Sequence, residues 1–218
     1  MNFVSAATLF ATTVAAAVVG AAAPTAATTV VPVPPGQSVA GKSQAQWSAA
    51  WWQWAGSFDE ADSPVADKTG ALCGSKQSGA VWFLAGTFET HRTVRTCSVP
   101  QGKYLFFPLI NYVVMPPADA RVGCTALTRQ AALSTNRATA LVADVDGKQL
   151  ANLSLHRQAT AQCFDMSALA TSPSQPLPAA ANGYYLMLKP LSVGTHTINF
   201  GGVLPDMVQA VTYTIVVR

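Results

Sequence analysis

The most regular pattern in the chain is a tryptophan repeat within its first third. Trp47, Trp51, Trp54 and Phe58 recur at intervals of four, three and four positions, so they share one stripe of an α-helix. Burial of several large aromatic side chains is strongly favourable, and we expect this stripe to pack onto the rest of the fold. Trp52 lies about 100° from Trp51 around the helix axis, outside the stripe. It is therefore the tryptophan that is placed to face solvent or a ligand.

Polar signals mark both ends of this helix. Ser43 is followed three positions later by Gln46, which is the spacing of a capping box. Gly56 follows the tryptophans and is typical of a C-terminal stop. No Gly or Pro interrupts the segment between these signals. The pattern therefore predicts a helix that starts after Ser43 and ends before Gly56.

Short apolar runs rich in β-branched and aromatic residues fill most of the remaining chain, which is the pattern of β-strands. Asp146-Gly147 between two of these runs is a strong hairpin signal. Pro108 lacks an N–H group, so its run should be an edge strand or be broken at that residue. The predicted strands cover residues 80–88, 93–99, 104–111, 138–144, 149–155, 184–189, 195–200 and 207–217.

A second, shorter helix is predicted for residues 124–136. Leu127 and Ala131 recur at helical spacing there, and Thr125 is a candidate N-cap. Three segments that are polar or rich in proline and turn residues are interpreted as loops: 58–79, 112–123 and 157–181.

Short strands with hairpin signals, little helix and no βαβ alternation together define the expected fold class. We predict a mainly β protein, an antiparallel β-sandwich or jelly-roll-like domain with one N-terminal Trp-rich helix and one short second helix. A closed barrel is the alternative architecture. Residues 38–218 are interpreted as a single domain, which is long enough to bury a core of its own.

The first residues differ in composition from the rest. Residues 1–23 are small and apolar without a charged side chain, and Gly20-Ala21-Ala22 offers the small residues of a cleavage site. This pattern predicts a signal peptide, with an uncleaved membrane anchor as the alternative. Residues 24–37, rich in Pro, Thr and Val, predict an extended linker. We therefore expect export to the periplasm or the extracellular space, without stable membrane insertion after cleavage.

Four cysteines, Cys73, Cys97, Cys124 and Cys163, are widely spaced, and no two of them form a C-x-x-C pair. An even number behind an export signal indicates disulfides formed in an oxidising compartment. Three pairings exist, and we favour Cys73–Cys97 with Cys124–Cys163. Each of these would close a loop of moderate length and stabilise the fold by roughly 3–4 kcal/mol. We predict disulfides at these cysteines, and neither a metal site nor a cofactor.

Charged side chains are sparse, at 11% of the chain, and the formal net charge is +3. The Lys and Arg residues are scattered along the sequence, which does not match the basic patch of a nucleic-acid-binding protein. We therefore predict no nucleic-acid partner. The sequence carries no signal for an oligomeric state.

Three segments carry distinctive motifs: residues 46–55 with WW-x-WA, residues 81–87 with VWFLAGT, and residues 95–111 with RTC-x-VP-x-GK-x-LFFP. In combination they resemble a family of bacterial exported proteins. The resemblance continues at positions between 146 and 157 and in residues 183–200, so it covers most of the chain after the predicted signal peptide. It implies a secreted or periplasmic domain, and it implies no activity for any residue.

Catalytic chemistry has few candidates in this sequence. The three histidines, His91, His156 and His196, are far apart and show neither H-x-H nor H-E-x-x-H spacing, so no metal site is predicted. The G-x-S-x-G motif of one large class of serine hydrolases does not occur. The enzymatic alternative is a secreted hydrolase that uses Glu89 with His91 or His196.

Two arginines and one asparagine are candidates for polar ligand contacts. Arg95 and Arg157 lie in or beside strand-like segments, and their guanidinium groups, with Asn111, would grip a carboxylate or sugar hydroxyls through paired hydrogen bonds. The structural alternative is that these arginines bind carboxylates or backbone carbonyls within the fold.

Aromatic side chains are candidates for stacking on a sugar ring. Tyr184 and Tyr185 are neighbours in a predicted strand, so they point to opposite faces and one of them should be exposed. We include Tyr184 and Trp52 in the predicted ligand site, with core packing as the alternative for each.

These features together favour a non-enzymatic binding module, secreted or periplasmic, for an envelope or extracellular ligand. A small molecule or a glycan is the expected partner, with carbohydrate as one candidate. The alternatives are the secreted hydrolase and a structural or adhesive surface protein.

Overall fold

The computed structural model describes residues 30–117, 120–169 and 176–218. The predicted signal peptide, residues 1–23, and the first part of the predicted linker, residues 24–29, lie outside the described residues. No helix in these three stretches combines the length and the apolar composition that crossing a membrane requires.

The described residues form two α-helices and ten β-strands, so the fold is mainly β as predicted. The helices are α1 (Gln44–Ala55) and α2 (Cys124–Thr135). Single 3-10 turns cover Glu60–Asp62, Leu153–His156 and Ser167–Leu169. The strands are β1 (Val81–Phe83), β2 (Thr93–Val99), β3 (Tyr104–Val114), β4 (Ala140–Val145), β5 (Lys148–Gln149), β6 (Arg157–Ala159), β7 (Phe164–Asp165), β8 (Pro178–Leu188), β9 (Gly194–Leu204) and β10 (Met207–Val217).

The strands form two sheets of five. The first has the order β1-β3-β8-β6, with β7 also paired to β8, and the second has the order β2-β10-β9-β4-β5. The structure differs from the predicted antiparallel arrangement at two pairs, because β1 runs parallel to β3 and β2 runs parallel to β10. Neither pair is adjacent in sequence, so no hairpin signal identifies it.

The two sheets pack face to face around a shared core. Phe107 of β3 contacts Phe200 of β9 with 4.5 Å between ring centroids, and the ring of Tyr213 in β10 lies nearly parallel to Phe200 at 6.1 Å. Helix α1 covers the opposite face of the first sheet, where it meets Phe106 and Tyr185. The molecule therefore has three layers: helix, first sheet and second sheet.

Helix α1 begins and ends where the sequence predicts. The Ser43 hydroxyl accepts a hydrogen bond from the Gln46 N–H and the Gln46 side chain accepts one from the Ser43 N–H, which completes the capping box, and Gly56 is the C-cap. Trp51 and Trp54 are buried, at 2% and 7% exposure. The indole N–H groups on this stripe donate to backbone carbonyls. The predicted tryptophan anchor is confirmed.

Helix α2 is also confirmed, but the prediction of its cap was wrong. Gly123 is the N-cap residue and makes no side-chain hydrogen bond, while Thr125 lies exposed within the first turn. Leu127 and Ala131 are buried and pack against the first sheet beside Ala180. The helix is therefore held by its apolar face, since a capping side chain is lacking.

Both predicted disulfides are present. Cys73 is bonded to Cys97 and Cys124 to Cys163, with 5.8 Å and 5.6 Å between the respective Cα atoms. The first bond ties the long segment between α1 and β1 to strand β2. The second ties the first residue of α2 to the segment between β6 and β7.

Strand β3 departs from the prediction in its position. It lies inside the first sheet between β1 and β8, so the edge-strand alternative for Pro108 was wrong. The predicted break is present, because the register between β3 and β8 shifts between Pro108 and Ile110. A residue without an N–H group interrupts the ladder at this point.

Two segments differ from their predicted secondary structure. Of the predicted strand 149–155, only Gln149 lies in a strand, as the last residue of β5. Asn152 adopts a left-handed conformation with φ of 57°, and a 3-10 turn follows it. Residues 157–181 were predicted as a loop but contain β6, β7 and the start of β8. Both β6 and β7 are extended because they pair with β8. The predicted hairpin at Asp146-Gly147 is confirmed, with φ of 52° and 74°.

Candidate functional site

A cavity of about 380 Å³ lies beside the C-terminal half of α1, and we call it the α1 cavity. Its walls come from α1, the segments after α1 and β1, the end of β3, the 3-10 turn at Ser167–Leu169 and the β9–β10 hairpin. Most of the lining is apolar, and its apolar side chains include those of Trp51, Trp52, Phe58, Val113, Met166 and Met207.

The mouth of the α1 cavity is also apolar. Phe88 and Leu169 both line it, and their side chains are 76% and 46% exposed. Gly56 permits the 3-10 turn to approach the end of α1, because a Cβ atom there would lie 2.7 Å from the Met166 methyl group. Large exposed apolar side chains at a concave surface are typical of an interaction site.

A neutral hydrogen-bonded cluster lies beside these apolar walls. The Tyr185 hydroxyl accepts hydrogen bonds from the Trp52 indole N–H at 3.0 Å and from the Asn111 amide at 3.1 Å. Burial raises the pKa of Tyr185, and its two hydrogen bonds oppose this only in part. The group therefore stays a neutral phenol at ordinary pH. Asn111 fits against β8 because its cross-strand partner is Gly183, where a Cβ atom would lie 2.6 Å from Asn111.

A second amide, that of Gln209, holds the cavity wall in place. Its oxygen accepts a hydrogen bond from the Thr87 N–H at 3.2 Å, and its nitrogen donates to the carbonyls of Pro108 and Leu109 at 2.7 and 2.8 Å. Gly86 is required beside it, because a Cβ atom there would lie 2.1 Å from the amide oxygen. Strand β1 covers only Val81–Phe83 of the predicted run 80–88, although the Leu84 N–H still donates to the Phe106 carbonyl at 3.0 Å.

Arg95 was predicted to bind a ligand, but the structure places it in the core rather than in a cavity. Its side chain is 1% exposed. The guanidinium donates to the carbonyls of Asp67, Ala85, Gly86 and Val65 at distances of 2.6 to 3.0 Å and to the Tyr213 hydroxyl at 3.2 Å. Since Val65 and Gly86 line the α1 cavity, Arg95 supports its wall from behind.

Arg157 and Tyr184 meet each other at a separate place. The Arg157 guanidinium donates to the Asn182 side chain at 2.8 Å, to the Ala132 carbonyl at 3.1 Å and to the Thr135 hydroxyl at 2.9 Å. It also lies over the Tyr184 ring, 5.8 Å from the centroid. Arg157 therefore joins the end of α2 to the first sheet, which is the structural alternative considered for it.

Of the predicted hydrolase residues, His91 is exposed and Glu89 is half-buried. Glu89 lies 2.8 Å from Lys68 and 3.7 Å from His91. The hydrogen bond from Lys68 and its charge hold the pKa of Glu89 below its ordinary value. A carboxylate stabilised in this way is a weak general base. Glu89 and His91 are not among the side chains that line the α1 cavity.

His196 lies in a different cluster, which sequence analysis did not identify. Its Nδ1 is 2.8 Å from Asp146 Oδ2, and its Nε2 is 3.3 Å from the Ser192 hydroxyl and 3.0 Å from the Ser192 carbonyl. Burial raises the pKa of Asp146, but hydrogen bonds from His196 and from the Thr197 N–H outweigh it and leave the pKa below its ordinary value. The cluster joins the β4–β5 turn to the start of β9.

Of the five predicted ligand-binding residues, the structure brings Trp52 and Asn111 together at the α1 cavity. Arg157 and Tyr184 pair elsewhere, and Arg95 is internal. Sequence analysis missed Phe88, because an apolar residue at the end of a strand-like run is normally expected to be buried. Among the described residues, no three His, Cys, Asp or Glu side chains are grouped as a metal site.

Comparison with known proteins found no matching family model and no matching curated protein. One solved structure that matches is titled "Structure of PbICP-C in complex with falcipain-2". The alignment covers 64% of this chain and 100% of that chain, with 9% sequence identity and a TM-score of 0.29. A similarity of this size carries no argument about the fold or the function of this chain.

Proposed function

We propose that this protein is an exported, non-enzymatic binding module that holds a small, mainly apolar molecule in the α1 cavity. The observation that carries the proposal is the lining of this cavity, which combines large apolar side chains with a neutral hydrogen-bonded cluster at Tyr185. A volume of about 380 Å³ lies in the range of small-molecule sites. Export is supported by the two disulfides, which form and persist in oxidising compartments.

The polar groups of the cavity favour an apolar ligand over the carbohydrate considered from the sequence. A sugar needs several free donors and acceptors for its hydroxyl groups. The Gln209 amide is bonded at both ends, the Thr87 hydroxyl is bonded to Thr93 at 2.9 Å, and the Ser63 hydroxyl accepts from the Val65 N–H at 3.3 Å. An apolar molecule leaves these internal hydrogen bonds intact.

The same lining favours binding over catalysis. Nucleophilic catalysis needs a nucleophile beside a base that is itself oriented by a third group. The side chains that line the α1 cavity include Ser63 and Glu60 but no His, Cys or Lys. Ser63 bonds a backbone N–H, which leaves no such arrangement in the cavity.

A titration with the neutral fluorescent probe N-phenyl-1-naphthylamine tests this proposal. We expect saturable binding by the wild-type chain and at least about tenfold weaker binding by Val113→Trp, because the added indole fills the cavity. Val142→Trp is the matched control, since Val142 is 59% exposed on β4 and does not line the cavity. Equal binding by both variants, or none by the wild type, would contradict the proposal.

A second candidate function, hydrolysis, is favoured by the cluster at His196. An imidazole between a carboxylate and a hydroxyl is the order of groups in a serine triad, and Asp146, His196 and Ser192 have this order. Against it, the Nε2 atom lies closer to the Ser192 carbonyl than to the hydroxyl, and the three residues do not line the α1 cavity. Labelling of Ser192 by a fluorophosphonate, lost in His196→Gln, would establish the hydrolase.

A further inference from the structure

We infer that the ligand of the α1 cavity is a cationic amphiphile, with its alkyl chain in the cavity and an ammonium group at the mouth beside Glu60. This inference rests on the proposed function and adds the chemistry of the ligand's head group. It is carried by the one charged side chain among the residues that line the cavity, the carboxylate of Glu60.

Glu60 is the charged side chain of the lining. Among the described residues that form the cavity wall, none is Lys, Arg or His. Glu60 belongs to the 3-10 turn after α1, where it is exposed. It makes no salt bridge with any residue that the structure describes. A carboxylate at this position is available to a cationic group of the ligand.

The residues around Glu60 strengthen its field. Asp59 and Asp62 flank it in the same exposed segment. Three cations beside lining residues already have partners. Lys68 lies 2.8 Å from Glu89, the neighbour of Phe88. Arg95 is bonded to backbone carbonyls behind the wall, and Lys76 donates to the Ser57 carbonyl while its ammonium lies over the Phe58 ring. A carboxylate ligand would therefore meet the like charge of Glu60 at the mouth, where these cations already have partners.

The position of the head group follows from burial. Moving an ammonium group into the neutral interior beside Tyr185 would cost its hydration without an opposite charge in return. At the mouth it remains partly hydrated and lies near Glu60 and the ring of Phe88, which line the same cavity. Aromatic faces attract cations, as Lys76 over Phe58 at 4.4 Å shows. The apolar walls are left to the alkyl chain.

Three probes of equal chain length test the inference: decylammonium, decanol and decanoate, each titrated below its micelle concentration at pH 7.5 by displacement of N-phenyl-1-naphthylamine. We expect decylammonium to bind about 3- to 10-fold more tightly than decanoate, which is the scale of one exposed charge attracted or repelled. Decanol should fall between the two.

The variants locate the effect. Glu60→Gln should reduce the ratio of decylammonium to decanoate affinity at least twofold, whereas Asp62→Asn should change it less. Asp62 is the matched control, because it carries the same charge in the same turn and does not line the cavity. A ratio of decylammonium to decanoate affinity near one in the wild type, or equal effects of the two variants, would overturn the inference about the head group. If decanol still binds in that case, the α1 cavity remains a binding site. Failure of all three probes to bind would overturn the proposed function as well.

Discussion

Trp52 donates its indole N–H to the hydroxyl of Tyr185 over 3.0 Å, although 133 residues separate the two along the chain. This contact joins α1 to the middle of the first sheet. The Tyr185 ring stacks on Phe106 at 5.3 Å, with 6° between the ring planes, and its hydroxyl also accepts from Asn111. The buried Tyr185 hydroxyl therefore positions both Trp52 and Asn111, the two predicted ligand-binding residues that line the α1 cavity.

Replacing Tyr185 with Phe should destabilise the protein. The change removes one oxygen and leaves the Trp52 and Asn111 donors without an acceptor, so we expect the free energy of unfolding to fall by about 1–3 kcal/mol. Urea denaturation measures this loss. Tyr184→Phe is the control, since its hydroxyl makes no hydrogen bond to the described residues, and its effect should stay below about 0.5 kcal/mol. Equal effects of the two variants would refute the role assigned to the Tyr185 hydroxyl.

Arg95→Met should be among the most damaging single substitutions in the chain. It removes the buried donor of the Val65, Asp67 and Gly86 carbonyls, and we expect a loss of more than about 3 kcal/mol in the free energy of unfolding. Arg95→Lys should recover little, because an ammonium lacks the planar set of five donors. The melting temperature of each variant measures the loss, with the exposed Arg129→Met as control. A melting temperature of Arg95→Met close to that of the wild type would contradict this assignment.

His156 should make the fold sensitive to mild acid. Its side chain is 7% exposed, its Nδ1 has no hydrogen-bond partner among the described residues, and burial lowers its pKa below 6.5. The unfolded chain therefore binds the proton more readily, so stability is lost as the pH falls below about 6.5, by at most about 1.4 kcal/mol at pH 5.5.

Urea midpoints at pH 8 and pH 5.5 measure this dependence. His156→Phe should reduce the difference between the two midpoints, since a phenyl ring does not titrate. His91→Gln, at an exposed histidine, should leave the difference as it is in the wild type. The carboxylates whose pKa values are lowered, such as Asp67, contribute only at more acidic pH. An unchanged difference in His156→Phe would argue against a neutral buried imidazole.

Each disulfide should stabilise the protein by constraining the unfolded chain. The bonds close segments with sequence separations of 24 and 39 residues, for which the chain-entropy relation gives about 3–4 kcal/mol each. Replacing both Cys73 and Cys97 with Ser should therefore lower the melting temperature by about 5–15 °C. The Cys124/Cys163 pair should behave similarly. Melting curves that do not respond to loss of either bond would contradict the expectation.

Local signals in the sequence were sufficient for several parts of the fold. The capping box of Ser43 and Gln46 and the Asp146-Gly147 turn each depend on residues within a few positions of one another, so the sequence identifies them directly. The cysteine pairing was a choice among three. Trp52 was selected because it lies off the buried stripe of α1, and in the structure it lines the α1 cavity.

The remaining features depend on contacts between distant segments. The parallel pair of β2 and β10 places Arg95 beside Tyr213, 118 residues later, and no local pattern encodes that pairing. The burial of Arg95 depends on contacts of this kind, because the carbonyls that surround its guanidinium come from the loops after α1 and β1. Phe88 was missed because the predicted strand 80–88 extends beyond the end of β1 at Phe83, and the residue is exposed.

The α1 cavity is the proposed binding site, and the methyl groups of its methionines report directly on whether it is occupied. Met166 and Met207 line the cavity, while Met115 and Met187 do not. A titration of ¹³C-methyl-methionine-labelled protein with decanol, followed by NMR, should shift the Met166 and Met207 methyl signals in a saturable manner and leave the signals of Met115 and Met187 nearly unchanged. Saturable shifts at the latter two alone, or no shift at Met166 and Met207, would contradict the account.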